Sequence, residues 1–126
     1  MAFTESQWAA VATLLGREPR GLEDIPVLDD GGQPRVIRVA SLVDGKPFPT
    51  LFWLVDPVLN YRIDQDEARG LIKDFQTRVN AEPGLRASIG GIADFSRIRC
   101  LHTWYAAHLV VPNTIGGLLD RHWTAP

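Results

Sequence analysis

The chain has 126 residues, 45% of them hydrophobic and 22% charged, which suits one soluble globular domain and excludes a largely disordered chain. Thirteen basic residues against 15 acidic ones give a formal net charge of −2, with the arginines scattered among acidic neighbours, so a dedicated nucleic-acid binder is not expected. A single cysteine excludes an internal disulfide and favours a reducing, cytoplasmic compartment, and no apolar run reaches the roughly eighteen residues a membrane span needs.

Residues Met1 to Gly16 lack a basic start and do not read as a signal peptide. Thr4 and Gln7 have capping-box spacing, Trp8, Val11, Ala12 and Leu15 recur at helical spacing, and Gly16 is a natural stop, so a first helix is expected here. Asp29-Asp30-Gly31-Gly32 separates Ile25–Leu28 from Arg35–Val39 and predicts a hairpin. Asp44-Gly45 predicts another turn, and the prolines of Lys46-Pro47-Phe48-Pro49-Thr50 predict a stiff, extended approach to the next strand. That strand, Leu51–Val55, is apolar on both faces and is expected at the centre of the sheet. Asp56-Pro57 has the form of a helix cap followed by a first helical residue. Asp64 and Glu67 have capping-box spacing for a further helix, with Leu71, Ile72, Phe75 and Val79 as its apolar stripe. Pro83 opens one short turn before Gly90-Gly91. A helix is then expected from Ile98, with Leu101, Tyr105 and Leu109 inward and Pro112 as its stop, and a last one over Ile115–Trp123. The sum is a single α+β domain over residues 1–126, with a small, mainly antiparallel sheet of about three strands in the N-terminal half and about four to five helices packed on it.

Chemistry concentrates in Arg99–His108, which holds the only cysteine and two of the three histidines. If the helix includes Cys100, then Cys100 and His102 point about 200° apart and cannot share a metal. With no second cysteine to fill a zinc site, no metal and no cofactor are expected. Extended residues at the start would put Cys100 and His102 on one face, still only two ligands. Cys100 can be read as a nucleophile activated by a helix N-terminus and Arg99, with a base such as His122 brought from elsewhere, or as a small core hydrophobe. His102 can be a general base, a ligand donor or a histidine bonded to a carbonyl. His108, His122, Trp104 and Tyr105 read as packing groups. Arg17, Arg20, Arg35 and Arg38 could receive an anion, or pair with Glu18, Glu23, Asp24, Asp29 and Asp30.

Leu15-Gly16-Arg17-Glu18-Pro19-Arg20-Gly21, Pro47-Phe48-Pro49-Thr50-Leu51-Phe52-Trp53-Leu54, Arg99-Cys100-Leu101-His102, and Asn113 with Gly116 occur in that order. Together they resemble the DUF501 family of bacterial proteins, whose function is undefined. The resemblance implies a cytoplasmic protein, from a family often encoded near cell-division and exopolyphosphatase genes. It carries over Pro49, Thr50, Trp53, Cys100, His102, Asn113 and Gly116. Many members have an Arg-Cys pair where this chain has Leu28-Asp29, so a two-cysteine metal or redox centre is not expected. Many also have a histidine at the position of Ala107. His108 sits one residue later, a rotation of about 100° on a helix, and is not expected to inherit its role. The segment between Asn80 and Cys100 is shorter than in many relatives.

Two functions follow as expectations. One is a pocket for a small polar or phosphorylated ligand between the Pro47–Thr50 loop and the Cys100 helix, with Cys100 and His102 as catalytic candidates and Thr50, Trp53, Arg35, Asn113 and Gly116 as ligand-binding ones. The other is a non-enzymatic protein-interaction module, with a protein partner or a second copy of the chain, linked through the resemblance to cell division or polyphosphate metabolism. Neither nucleic acid nor membrane is an expected partner.

Overall fold

The computed structural model describes residues 2–40, 42–43, 46–47, 52–84 and 98–125. Among these are five helices and a three-stranded antiparallel sheet in the N-terminal half, the expected α+β class. The chain forms two compact units, Met1–Asn60 and Tyr61–Pro126.

The first unit opens with α1 (Glu5–Leu15), capped as expected. Thr4 Oγ1 accepts the Gln7 N–H at 3.1 Å and the Gln7 side chain accepts the Thr4 N–H at 2.8 Å. Gly16, at φ 72°, turns the chain out of the helix in a conformation a side chain would resist. The hairpin β1 (Leu22–Leu28) and β2 (Pro34–Val39) follows. Its turn is held by Asp29, whose Oδ1 accepts the N–H groups of Gly31 and Gln33, both at 2.9 Å. β1 starts earlier than its β-branched residues suggest, because Leu22 and Asp24 pair with Val39 and Arg38 through an irregular register. Pro26 is tolerated because β1 is an edge strand.

β3 (Leu42–Val43) and β4 (Lys46–Pro47) form a separate two-stranded pair. The Asp44-Gly45 turn and the Phe48–Thr50 part of the proline loop lie outside the described residues. β5 (Phe52–Leu54) does not take the expected central place. The sheet order is β1-β2-β5, so β5 is an edge and β2 is the middle strand. Apolarity on both faces signals burial, and here the fully buried neighbours Val36 and Ile37 sit on β2. The core of this unit is Val11, Ile25, Ile37, Val39 and Val55, with Phe3, Leu15, Leu22 and Trp53 packed against it.

α2 (Pro57–Ala68) begins as predicted. Asp56 Oδ1 accepts the N–H groups of Val58 at 2.9 Å and Leu59 at 3.1 Å, while Asp56 Oδ2 accepts Arg35 Nε at 2.8 Å. Burial acts to raise the Asp56 pKa, but the Arg35 bond and the two backbone donors outweigh it and hold the carboxyl below its ordinary value.

In the second unit the expected helix start at Asp64 is absent. α2 runs through Asp64 and Glu67, and the break falls at Arg69-Gly70, where Gly70 has φ 89°. α3 (Leu71–Ala81) buries Leu71, Phe75 and Val79, the predicted stripe. The Gly90-Gly91 segment lies outside the described residues. α4 (Leu101–Val110) starts later than Ile98, buries Leu101, Tyr105 and Ala106, and leaves Leu109 half-buried. α5 (Thr114–Thr124) follows Pro112. No helix among the described residues is long and apolar enough to cross a membrane.

Candidate functional site

The start of α4 decides the geometry of the reactive segment. Cys100 is not in the helix. It is the residue before it, at φ −155° and ψ 123°. An extended residue projects its side chain differently from a helical one, so the separation of about 200° that a shared helix would impose does not apply. Cys100 Sγ lies 3.4 Å from His102 Nδ1. The expectation that Cys100 and His102 cannot share a metal is therefore corrected, and a base for Cys100 need not come from His122, whose Nε2 lies 3.7 Å from Asp66 Oδ1.

Two carboxylates from α2 complete the cluster. Asp64 and Glu67, three residues apart, share one face of the helix. His102 Nε2 lies 2.8 Å from Asp64 Oδ1, and His102 Nδ1 lies 3.5 Å from Glu67 Oε2. Glu67 Oε2 also accepts the Leu101 N–H at 2.8 Å. The pair that looked like a cap for its own helix thus serves α4, with Glu67 satisfying one of that helix's free donors. The imidazole and Glu67 are half-buried, whereas Asp64 is exposed.

These contacts move the protons. Burial pushes the Cys100 thiol up, but the hydrogen bond from His102, the Thr103 N–H and hydroxyl, and the imidazolium charge outweigh it, leaving the thiol below its ordinary range. The hydrogen bond to Cys100 raises His102 most. Burial opposes that rise, and the charges of Cys100, Glu67 and Asp64 add to it, so the imidazole is lifted to about 9. Opposite shifts in a touching pair describe one coupled unit rather than two independent side chains. The same three donors, Glu67, Cys100 and His102, lie within 4.8 Å of one another, close enough to hold one metal ion.

Asn113 and Gly116 belong to the corner between α4 and α5, one helix length from Cys100. Asn113 Oδ1 accepts the Gly116 N–H at 2.7 Å, and Asn113 Nδ2 donates to the Trp104 carbonyl at 2.9 Å. His108 sits in this corner as a tie. Its Nδ1 accepts the Asn113 N–H at 2.9 Å, so its Nε2 carries the proton shared with Asp120 Oδ2 at 2.8 Å. Gly116 is required there, because a Cβ would fall 2.1 Å from His108 Cγ. In the first unit, Arg35 is paired with Asp56, and Trp53 packs on the core with Arg17 Cζ 5.6 Å from its ring centroid. Arg38 pairs with Glu23 at 3.5 Å, as the bland reading of the arginines expects. Thr50 lies outside the described residues.

Sequence reasoning missed Asp64 and Glu67 as site residues. Their spacing was visible, but an acidic pair one turn apart serves equally as a cap or as a clamp on another element. It also missed Asp66, buried on α2, whose Oδ2 accepts Trp123 Nε1 at 2.6 Å.

No curated protein and no solved structure matches the chain. One family model does, in two overlapping pieces over residues 25–89 and 84–121, which contain Cys100, His102, Asp64 and Glu67 but not the Leu15–Gly21 segment. Its description is Protein of unknown function (DUF501), and on a match that spans most of its length the chain belongs to the DUF501 family.

Proposed function

We propose that this protein binds a small polar, phosphorylated ligand in the cytoplasm, at the start of α4 in its second unit. The observation that carries this reading is the convergence of the Cys100 thiol, the His102 imidazole and the Asp64 and Glu67 carboxylates. Gathering a thiol, an imidazole and a carboxylate at a partly buried spot, with the exposed Asp64 at its rim, costs free energy that packing alone does not require, and such clusters collect where a ligand is handled. A groove of about 530 Å³ in the same unit supports an anionic group on that ligand, since Lys73, Gln76, Thr77 and Arg99 line it. Asp64 and Glu67 repel a phosphate placed directly against them. The anionic end therefore belongs with Lys73 and Arg99, and the uncharged end with Cys100 and His102.

Thermal unfolding with a panel of nucleotides, sugar phosphates and inorganic phosphate tests this. A phosphorylated compound should raise the melting temperature of the wild type and do so less in Cys100→Ala, His102→Ala and Lys73→Ala. Equal shifts in all four proteins, or none across the panel, would contradict it.

A second reading is a protein-interaction module, linked through the family to cell division or polyphosphate metabolism. It is favoured by Tyr61 on α2, a large aromatic side chain that is 65% exposed. Sedimentation over a range of concentrations checks its homo-oligomeric form. Self-association abolished by Tyr61→Ser supports it, and a monomer at every concentration removes it.

A further inference from the structure

We propose that Glu67, Cys100 and His102 form a mononuclear zinc site in the second unit, with Asp64 as the carboxylate that orients the histidine. The argument is geometric first. Zinc–sulfur bonds of about 2.3 Å and zinc–nitrogen or zinc–oxygen bonds of about 2.1 Å in a tetrahedron put sulfur and nitrogen about 3.5 Å apart, and nitrogen and oxygen about 3.4 Å apart. Cys100 Sγ and His102 Nδ1 are 3.4 Å apart, and His102 Nδ1 and Glu67 Oε2 are 3.5 Å apart. Two of the three donor separations thus match a metal between them, and the third, Cys100 Sγ to Glu67, lies within 4.8 Å.

The surroundings fit as well. A metal-binding histidine usually donates its other ring N–H to a carboxylate, and His102 Nε2 faces Asp64 Oδ1 at 2.8 Å, leaving Nδ1 for the ion. Glu67 is oriented by the Leu101 N–H and the Cys100 sulfur by the Thr103 N–H, so two ligands carry fixed hydrogen-bond partners of their own. A metal would displace the proton from His102 Nδ1 and from the thiol, after which a thiolate and a carboxylate with a neutral imidazole balance a divalent charge. One sulfur, one nitrogen and one oxygen donor suit zinc, a borderline-soft ion, better than magnesium or calcium. Three protein ligands leave a fourth position for water or a ligand oxygen, the form of catalytic rather than structural zinc sites. This inference stands whether or not a phosphorylated ligand binds nearby.

Cobalt(II) reports on such a site directly. Full-length protein, freed of metal by a chelator, is titrated with Co²⁺ and then with Zn²⁺. The expected result is one ion per chain, visible bands of a four-coordinate site, a near-ultraviolet thiolate-to-cobalt band, and loss of both sets of bands when zinc displaces cobalt. Cys100→Ser should abolish the thiolate band. Asp64→Asn should weaken binding by about 10–100-fold, as second-layer partners do. Asp120→Asn, on α5 and bonded to His108 near the far end of α4, should leave cobalt binding unchanged. A second readout needs no variant: stoichiometric zinc should protect Cys100 from alkylation and a chelator should restore labelling. Absence of saturable cobalt binding, binding undiminished in Cys100→Ser, or labelling indifferent to zinc would overturn the proposal. Cobalt binding without any ligand-induced thermal shift would retain the metal site and remove the phosphorylated ligand, and the reverse result would do the opposite.

Discussion

Asp56 joins strand to helix through one carboxylate, accepting from Arg35, Val58 and Leu59 at once. Asp56→Ala should cost about 1–2 kcal/mol at pH 7, the range for losing a good helix cap, measured by urea unfolding. Because its folded pKa is lowered, Asp56 stabilises fully above its unfolded value of about 3.9, and that contribution fades as pH falls through the folded value. The deficit of the variant should therefore shrink in acid, and a deficit equal at pH 7 and pH 3 would rule out the charged carboxylate as its source. Asp56 was readable because Asp-Pro before a helix has one common use. Cys100 and His102 were readable as chemistry for the same reason, since few residue types titrate near neutrality. Their partners were not, because a carboxylate's destination depends on which element the fold brings to it.

At the level of elements, the decisive event is where α4 begins. A shift of three residues, from Ile98 to Leu101, turns Cys100 from a helical residue pointing away from His102 into an extended one touching it. Helix starts are the least legible feature of a sequence, since apolar spacing marks the body of a helix and only capping marks its end. Here the cap comes in part from Glu67, 34 residues earlier in the chain, where no local pattern could reveal it. The corner between α4 and α5 makes a sharper prediction. Gly116→Ala should destabilise by about 1–3 kcal/mol in thermal unfolding, because the new methyl meets a His108 ring anchored at both nitrogens. Gly117→Ala, whose Cβ meets only Arg121 Nη1 at 3.7 Å, should be neutral or stabilise by up to about 1 kcal/mol. Equal effects at the two glycines would remove His108 as the reason for Gly116. α2 and α5 are tied by the Asp66–Trp123 bond, and Trp123→Phe should cost about 1–3 kcal/mol by leaving a buried carboxylate oxygen short of a donor.

For the whole molecule, composition and order of elements foretold a small α+β protein, and the family match places it among relatives of unknown function. The sheet order was harder to see, because strand apolarity reports burial and not neighbours, so β5 was expected where β2 lies. A zinc site adds a whole-molecule consequence, since an ion that binds only the folded chain stabilises all of it. At a hundred times its dissociation constant the gain is about 2.7 kcal/mol, a rise in melting temperature of roughly 10 °C that Cys100→Ser should lack. The phosphorylated-ligand reading of the α4 start rests on one claim, that Cys100 and His102 act as a pair. Alkylation of Cys100 against pH, in metal-free wild type and in His102→Ala, tests it most directly. The account predicts a midpoint below the ordinary thiol value of about 8.5 that rises when the imidazole is removed. A midpoint at or above the ordinary value, unmoved by His102→Ala, would contradict it.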